Sequence, residues 1–205
     1  MAGRPREFDR DQALERAMLA FWQRGYEGTS MADLVQALGI ASARIYAAFG
    51  SKQALFREAV QRYESGAGCF ADRALAEETQ VREAIARMLM DAATVYTEPG
   101  RPQGCMVVMA AINFAQENEE VAAWLAGHRR QRTQSIIDRL QRAKDAGQLR
   151  ETTDVQALGD FYATQLHGIS VQARDGVSRP RLLAASEIAM GVLDQALSAS
   201  ADSAC

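Results

Sequence analysis

Apolar residues recur along this chain at helical spacing, and the breaks between the recurring stretches carry residues that start and stop helices. Leu14, Ala17, Met18 and Phe21 share one face of a first helix. Asp9 can accept from the free N–H groups at its start, Gln12 can reach back to complete a capping box, and Gly25 supplies the stop. Ser30 and Asp33 form an S-x-x-D cap on a short second helix that ends at Leu38-Gly39-Ile40. A third runs from Ser42 through Ile45 and Tyr46 to Phe49, and Gly50-Ser51 recaps a fourth that begins at Lys52 and passes Tyr63.

Longer helices are expected beyond Gly68, over residues 79–97, 105–116, 119–146, 153–174 and 180–198. Pro99-Gly100-Arg101-Pro102 cannot continue a helix, Gly147 is a stop, Thr153 with Gln156 caps a start, and Pro180 suits a first turn. Periodicity thus predicts an all-α chain of about nine helices. No apolar-polar alternation is long enough for a strand, and the Ser/Ala-rich tail from Ser198 to Cys205 reads as frayed.

Composition narrows the function classes. In 205 residues, 48% hydrophobic and 24% charged, no apolar window reaches the roughly 20 residues of a spanning helix. The N-terminus is charged where a secretory segment would be apolar, so a cytoplasmic location is expected. Three widely spaced cysteines (Cys69, Cys105, Cys205) argue against a disulfide framework, and with His128 and His167 they show no metal-ligand spacing. No metal or cofactor is therefore expected. A nucleophile elbow, a phosphate-cradling Gly-rich loop and paired catalytic carboxylates are all missing, which argues against an enzyme.

The net charge of −3 gives no general attraction to nucleic acid. Its distribution is uneven, with eight basic against seven acidic residues through Glu58 and an acidic excess beyond. Two short helices joined by a turn at Gly39, behind a capping first helix, make a helix-turn-helix, whose second helix enters the DNA major groove. Met31, Leu34, Val35, Leu38, Ile40, Ile45 and Phe49 are spaced to pack this scaffold. Ser42, Ala43, Arg44 and Ala47 fall on the outward side. An arginine there can donate twice to guanine O6 and N7, worth about 1–3 kcal/mol of discrimination, and alanine methyls can meet thymine methyls. Thr29, at a helix start, can both close the cap region and offer a hydroxyl and N–H to phosphate, and the capping residue Ser30 beside it is a further DNA-binding candidate. Gly3-Arg4-Pro5-Arg6 reads either as a minor-groove arm or as a disordered start.

The run Gly25-Tyr26-x-x-Thr29-Ser30-Met31-x-Asp33-Leu34-Val35-x-Ala37-Leu38-Gly39-Ile40, followed by Ile45-Tyr46-x-x-Phe49-Gly50-Ser51-Lys52-x-x-Leu55-Phe56, resembles the N-terminal module of the TetR family of transcription regulators. The resemblance covers about the first quarter of the chain. It implies a DNA-binding domain over residues 1–57 and a ligand-binding and dimerisation domain over 58–205, with Tyr46 and Lys52 positioned on phosphates. Ala41 stands where the family commonly opens its recognition helix with Ser or Thr, and Ala47-Ala48 where bulky polar residues are common, so base reading rests on few side chains.

The resemblance also implies a homodimer on a pseudo-palindromic operator in double-stranded DNA. Its last two helices would pair with their copies, placing the recognition helices roughly 34–36 Å apart. The expected effector pocket lies among the middle helices, with Met88, Tyr96, Cys105, Met109, Phe114, Trp124, Phe161 and His167 as candidate lining. Cys105 opens a helix after the Pro-Gly break, with Arg101 nearby in sequence, and is read either as a sensor thiol or as a small packing residue. The Gly-Cys-Met-Val stretch is similar to that of a TetR subgroup in which some members sense electrophiles or oxidants. The expected function is thus a repressor released by a small-molecule or thiol-reactive effector. The alternative is a non-DNA-binding helical carrier, which leaves Arg44, Tyr46 and Lys52 without purpose.

Overall fold

A computed structural model describes residues 9–110, 115 and 118–198. Four helices form the head: α1 (Arg10–Arg24), α2 (Met31–Leu38), α3 (Ser42–Phe49) and α4 (Lys52–Ser65). A 3-10 turn, Ala67–Cys69, leads into the body, made of α5 (Phe70–Glu77), α6 (Val81–Val95), α7 (Met106–Met109), α8 (Glu119–Asp145), α9 (Val155–Arg174) and α10 (Arg179–Ala196). The described residues contain no strand, only one isolated bridge between Leu149 and Leu197. None of their helices is long and apolar enough to cross a membrane, and no group of three or more His, Cys, Asp or Glu among them could hold a metal ion.

Capping sets the starts where expected. Asp9, Ser30 and Ser51 each accept from the backbone N–H three residues on. Only Ser30 completes a reciprocal box, through Asp33; the Gln12 amide oxygen accepts instead from Arg16. Three expectations need correction. The start of α9 is capped by Asp154, which accepts from the Ala157 N–H, and not by Thr153. Helix α5 was not expected, because its inward stripe, Phe70, Ala71, Ala74 and Leu75, is half alanine. The helix expected over 105–116 is described only as Met106–Met109.

In the head, Phe21 of α1 packs edge-on against Phe56 of α4 (centroids 5.0 Å apart), with Leu34, Leu38, Ile45 and Phe49 closing the core from α2 and α3. In the body α5 lies along α6, α8 along α9, and α10 against both α6 and α9. The buried Tyr162 hydroxyl donates to the Ala189 carbonyl (3.0 Å), pinning α9 to α10. The bundle therefore leaves α3 at one end of the chain's surface and one face of α10 uncovered.

Candidate nucleic-acid interface and thiol cavity

Helix α3 is held by its buried side. Ile45 and Phe49 are in the core, and Arg10 clamps the helix end by lying over the Phe49 ring (4.5 Å) while bonding Glu58 of α4 at 2.8 Å. The rest of the helix faces out: Ser42, Ala43, Arg44, Tyr46 and Ala47 are all exposed, the Tyr46 ring included. Gly39 takes the left-handed conformation (φ 70°) that turns the chain between α2 and α3. Arg24 pairs with Asp33, locking α1 to α2. Hydrogen bonds from Ser30 hold the Asp33 carboxyl below its ordinary pKa, helped by the Arg24 charge.

Lys52, in the first turn of α4, is half-buried with its ammonium 4.3 Å above the Tyr26 ring. Burial pushes its pKa down, opposed by the charges of Glu27 and Asp33. Ser30 is exposed at the start of α2, where its hydroxyl serves the capping box. Thr29 is different and needs correction. It is fully buried; its hydroxyl donates to the Gly25 carbonyl (2.7 Å) and its N–H points to the Tyr26 carbonyl. With both groups turned into the α1–α2 corner, Thr29 locks that corner and offers nothing to phosphate. Arg4 and Arg6 of the candidate arm lie outside the described residues.

Behind the head is a cavity of about 40 Å³ that the Cys105 thiol faces. Of the expected lining it brings together Tyr96, Cys105 and His167. The others are placed elsewhere. Met88 is sealed in the core, Met109 sits half-buried against Gly104, and Phe114 lies outside the described residues. Trp124 stacks edge-on to His128 and under Arg57. Phe161 borders an open groove between α9 and α10. The residues that replace them are Tyr63 of α4, Phe70 of α5, and His128, Arg129 and Arg132 of α8. Only folding brings these helices together; no local spacing announces them. Arg101 is also not the thiol's cation, since it pairs with Glu98 at 3.5 Å on the surface; Arg129 is the arginine whose charge couples to Cys105. Burial, then the charges of Arg129 and Arg132, push the His167 pKa below its ordinary value.

The cysteine segment is tied to everything around it. Gly104 donates to the Tyr96 carbonyl (3.0 Å), its own carbonyl accepts from Trp22 Nε1–H of α1 (2.9 Å), and the Cys105 N–H donates to Ser170 Oγ (2.8 Å). Past α7 the head makes a second connection, because the Glu27 carboxylate accepts from the Ala115 N–H and the Asn118 amide, both at 2.9 Å. The last turn of α1 therefore holds the residue before Cys105, and the corner after it holds Ala115 and Asn118.

Residues 13–59 match the bacterial regulatory proteins of the tetR family, and residues 83–175 match the tetracyclin repressor-like C-terminal domain. The chain is 33% identical over 88% of its length, and 87% of the relative's, to the HTH-type transcriptional repressor ComR of Escherichia coli K12. To the HTH-type transcriptional repressor BdcR of the same organism it is 31% identical over 91% of its length and 90% of that protein's. Among solved structures, a cysteine-substituted form of the TetR family transcriptional regulator CifR, complexed with 26-base-pair double-strand operator DNA, is 44% identical and superposes with a TM-score of 0.87, over 92% of this chain and 98% of that one. With an exposed second helix on a helix-turn-helix, an all-α body behind it and likeness along nearly its whole length, the chain belongs to the TetR family of DNA-binding transcriptional regulators.

Proposed function

We propose that the chain is a homodimeric repressor that binds a pseudo-palindromic operator in double-stranded DNA and leaves it when a thiol-reactive or small-molecule effector engages the Cys105 cavity. The division is a DNA-binding domain over residues 1–57 and an effector-binding and dimerisation domain over 58–205. Ser42, Ala43, Arg44 and Ala47 read base edges, and Tyr46, Ser30 and Lys52 hold phosphates. Two relatives named as repressors, and one solved in complex with operator DNA, support the repressor reading. A cytoplasmic location follows from a DNA partner.

One observation carries the effector reading. Adjacent residues present a thiol to a cavity and a carbonyl to the head: Cys105 does the first and Gly104, through Trp22, the second. An effector shifts the protein between DNA-bound and free forms only by binding them unequally, and this junction lies directly between the cavity and the head. Fluorescence anisotropy on DNA from upstream of the gene tests the reading. N-ethylmaleimide or peroxide is expected to release the wild type and to leave Cys105→Ser bound. Equal release of both proteins overturns the thiol part. Weak, sequence-independent binding lost between low and moderate salt overturns the operator part.

A further inference from the structure

The Tyr63 hydroxyl is buried without a hydrogen-bond partner, on a side chain that is 1% exposed. It lies at the Cys105 cavity, beside the sulfur, with the Met106 N–H close by but outside hydrogen-bond geometry. Packing does not explain the hydroxyl. The ring meets Trp22 edge-on at 4.7 Å, a contact phenylalanine would make equally well. The chain makes special room for that ring, because a Cβ on Gly68 would lie 2.7 Å from it. An unpartnered buried hydroxyl costs about 1–3 kcal/mol, so one aimed into a cavity next to a thiol points to an oxygen atom that arrives with a ligand.

Building on the effector reading above, we propose that Tyr63 is the hydrogen-bond donor to the oxygen of a compact α,β-unsaturated carbonyl compound whose β-carbon is attacked by Cys105. The cavity of about 40 Å³ admits only a small molecule. Phe70 and Tyr96, 5.5 Å apart and edge to face, wall it with aromatic surface suited to a flat conjugated system. The soft sulfur favours a polarisable conjugated carbon, and the bond from the Cys105 N–H to Ser170 fixes where that sulfur stands. In the step, the sulfur forms a bond to the β-carbon and the alkene electron pair moves onto the carbonyl oxygen, which Tyr63 O–H holds as an enolate. The proton lost by the thiol returns through solvent to the α-carbon. The sum is addition of S–H across the double bond, with nothing oxidised or reduced. Burial, reinforced by the charge of the Cys105 sulfur, raises the Tyr63 pKa well above its ordinary value, so the phenol keeps its proton for donation to the carbonyl oxygen.

The test is the rate of Cys105 modification in the full-length protein, followed by peptide-resolved mass spectrometry with methyl vinyl ketone and with oxygen-free allyl bromide. Tyr63→Phe is expected to slow the ketone roughly 10- to 100-fold, the worth of one hydrogen bond to a charged oxygen, and to leave the allyl bromide rate unchanged. Equal slowing with both reagents, or slowing with neither, overturns the proposal. The thermal midpoint of Tyr63→Phe is expected at or above that of the wild type, because the hydroxyl has no partner to lose; a lower midpoint shows a structural hydroxyl and also overturns it. If ketone addition depends on Tyr63 yet the adduct still binds operator, the effector reading fails and this assignment stands. If the adduct releases DNA and Tyr63→Phe reacts as fast as wild type, this assignment alone falls.

Discussion

The indole N–H of Trp22 donates to the carbonyl of Gly104 at 2.9 Å, joining the last turn of the head's first helix to the peptide that precedes Cys105. Both sides are buried, so the bond is a mechanical link as well as a satisfied donor. Trp22→Phe keeps most of the ring volume and removes the N–H, leaving the Gly104 carbonyl unsatisfied at a cost of about 1–3 kcal/mol. The variant is expected to bind operator and to react at Cys105 at the wild-type rate, but to retain DNA after modification. Anisotropy titrations before and after complete alkylation check this. Release identical to that of wild type would show that the link does not transmit.

Gly104 is held in a conformation that other residues avoid, with φ at 78°, and a Cβ there would stand 2.7 Å from the Ser170 carbonyl oxygen. Strain and clash act together, and the atom met first belongs to the backbone of α9, which cannot swing aside as a side-chain end would. Gly104→Ala is expected to lose about 1–3 kcal/mol or more of stability, measured by urea unfolding. A wild-type midpoint would mean that the 104–105 segment gives way easily, which would also weaken its case as a relay.

The parts of this architecture that were legible in the residues are the local ones. Asp9, Ser30 and Ser51 mark their helices because a cap is a bond between positions three apart, and the outward set on α3 follows from the buried phase of Ile45 and Phe49. Thr29 shows where local chemistry stops: a threonine beside a cap can face phosphate or the core, and packing of the α1–α2 corner turned it inward. The cavity was less accessible still. Tyr63, Cys105, Arg129 and His167 come from four separate stretches, so only the tertiary arrangement shows that they meet, and Arg101, near in sequence, points away to Glu98.

Arg44 and Lys52 are expected to fail differently on DNA. Arg44 is exposed on the outward face of α3, proposed above to read base edges, so Arg44→Ala should relax preference at one base pair by about 1–3 kcal/mol and leave binding to unrelated sequence nearly unchanged. Lys52 lies at the start of α4, where a cation opposes the helix dipole, and its contact with the Tyr26 ring orients it. Lys52→Ala should weaken all sequences about equally and reduce the salt slope by about one phosphate contact. Binding to operator variants across a salt series measures both effects, and the opposite pattern would exchange the two roles.

His167 makes stability fall on acidification. In the folded chain burial, followed by Arg129 and Arg132, holds its pKa below the ordinary 6.5, so the unfolded chain takes up the proton first. The stability this gives is fully present above the unfolded pKa and is lost as pH drops through the folded one. His167→Gln removes the site, and its melting temperature should decline less than that of wild type between about pH 7 and pH 5. Parallel declines would show that acid sensitivity arises elsewhere.

Ile188 is 80% exposed on α10 and stands one turn from the exposed Val192, with Ala184 and Ala185 exposed a turn before. The other face of the helix, with Leu182, Met190 and Leu193, is already buried within the chain. A helix with an apolar outer face beside a complete inner one is suited to self-complementary contact, and small alanines allow close approach. Ile188→Asp should therefore leave the monomer folded, since its side chain touches little of the core, while placing two like charges near the proposed two-fold axis. Sedimentation equilibrium is expected to show a shift from dimer to monomer with the circular dichroism spectrum unchanged. Operator affinity should fall steeply, because each half-site is then bound alone. A variant that stays dimeric would move the interface off this face of α10.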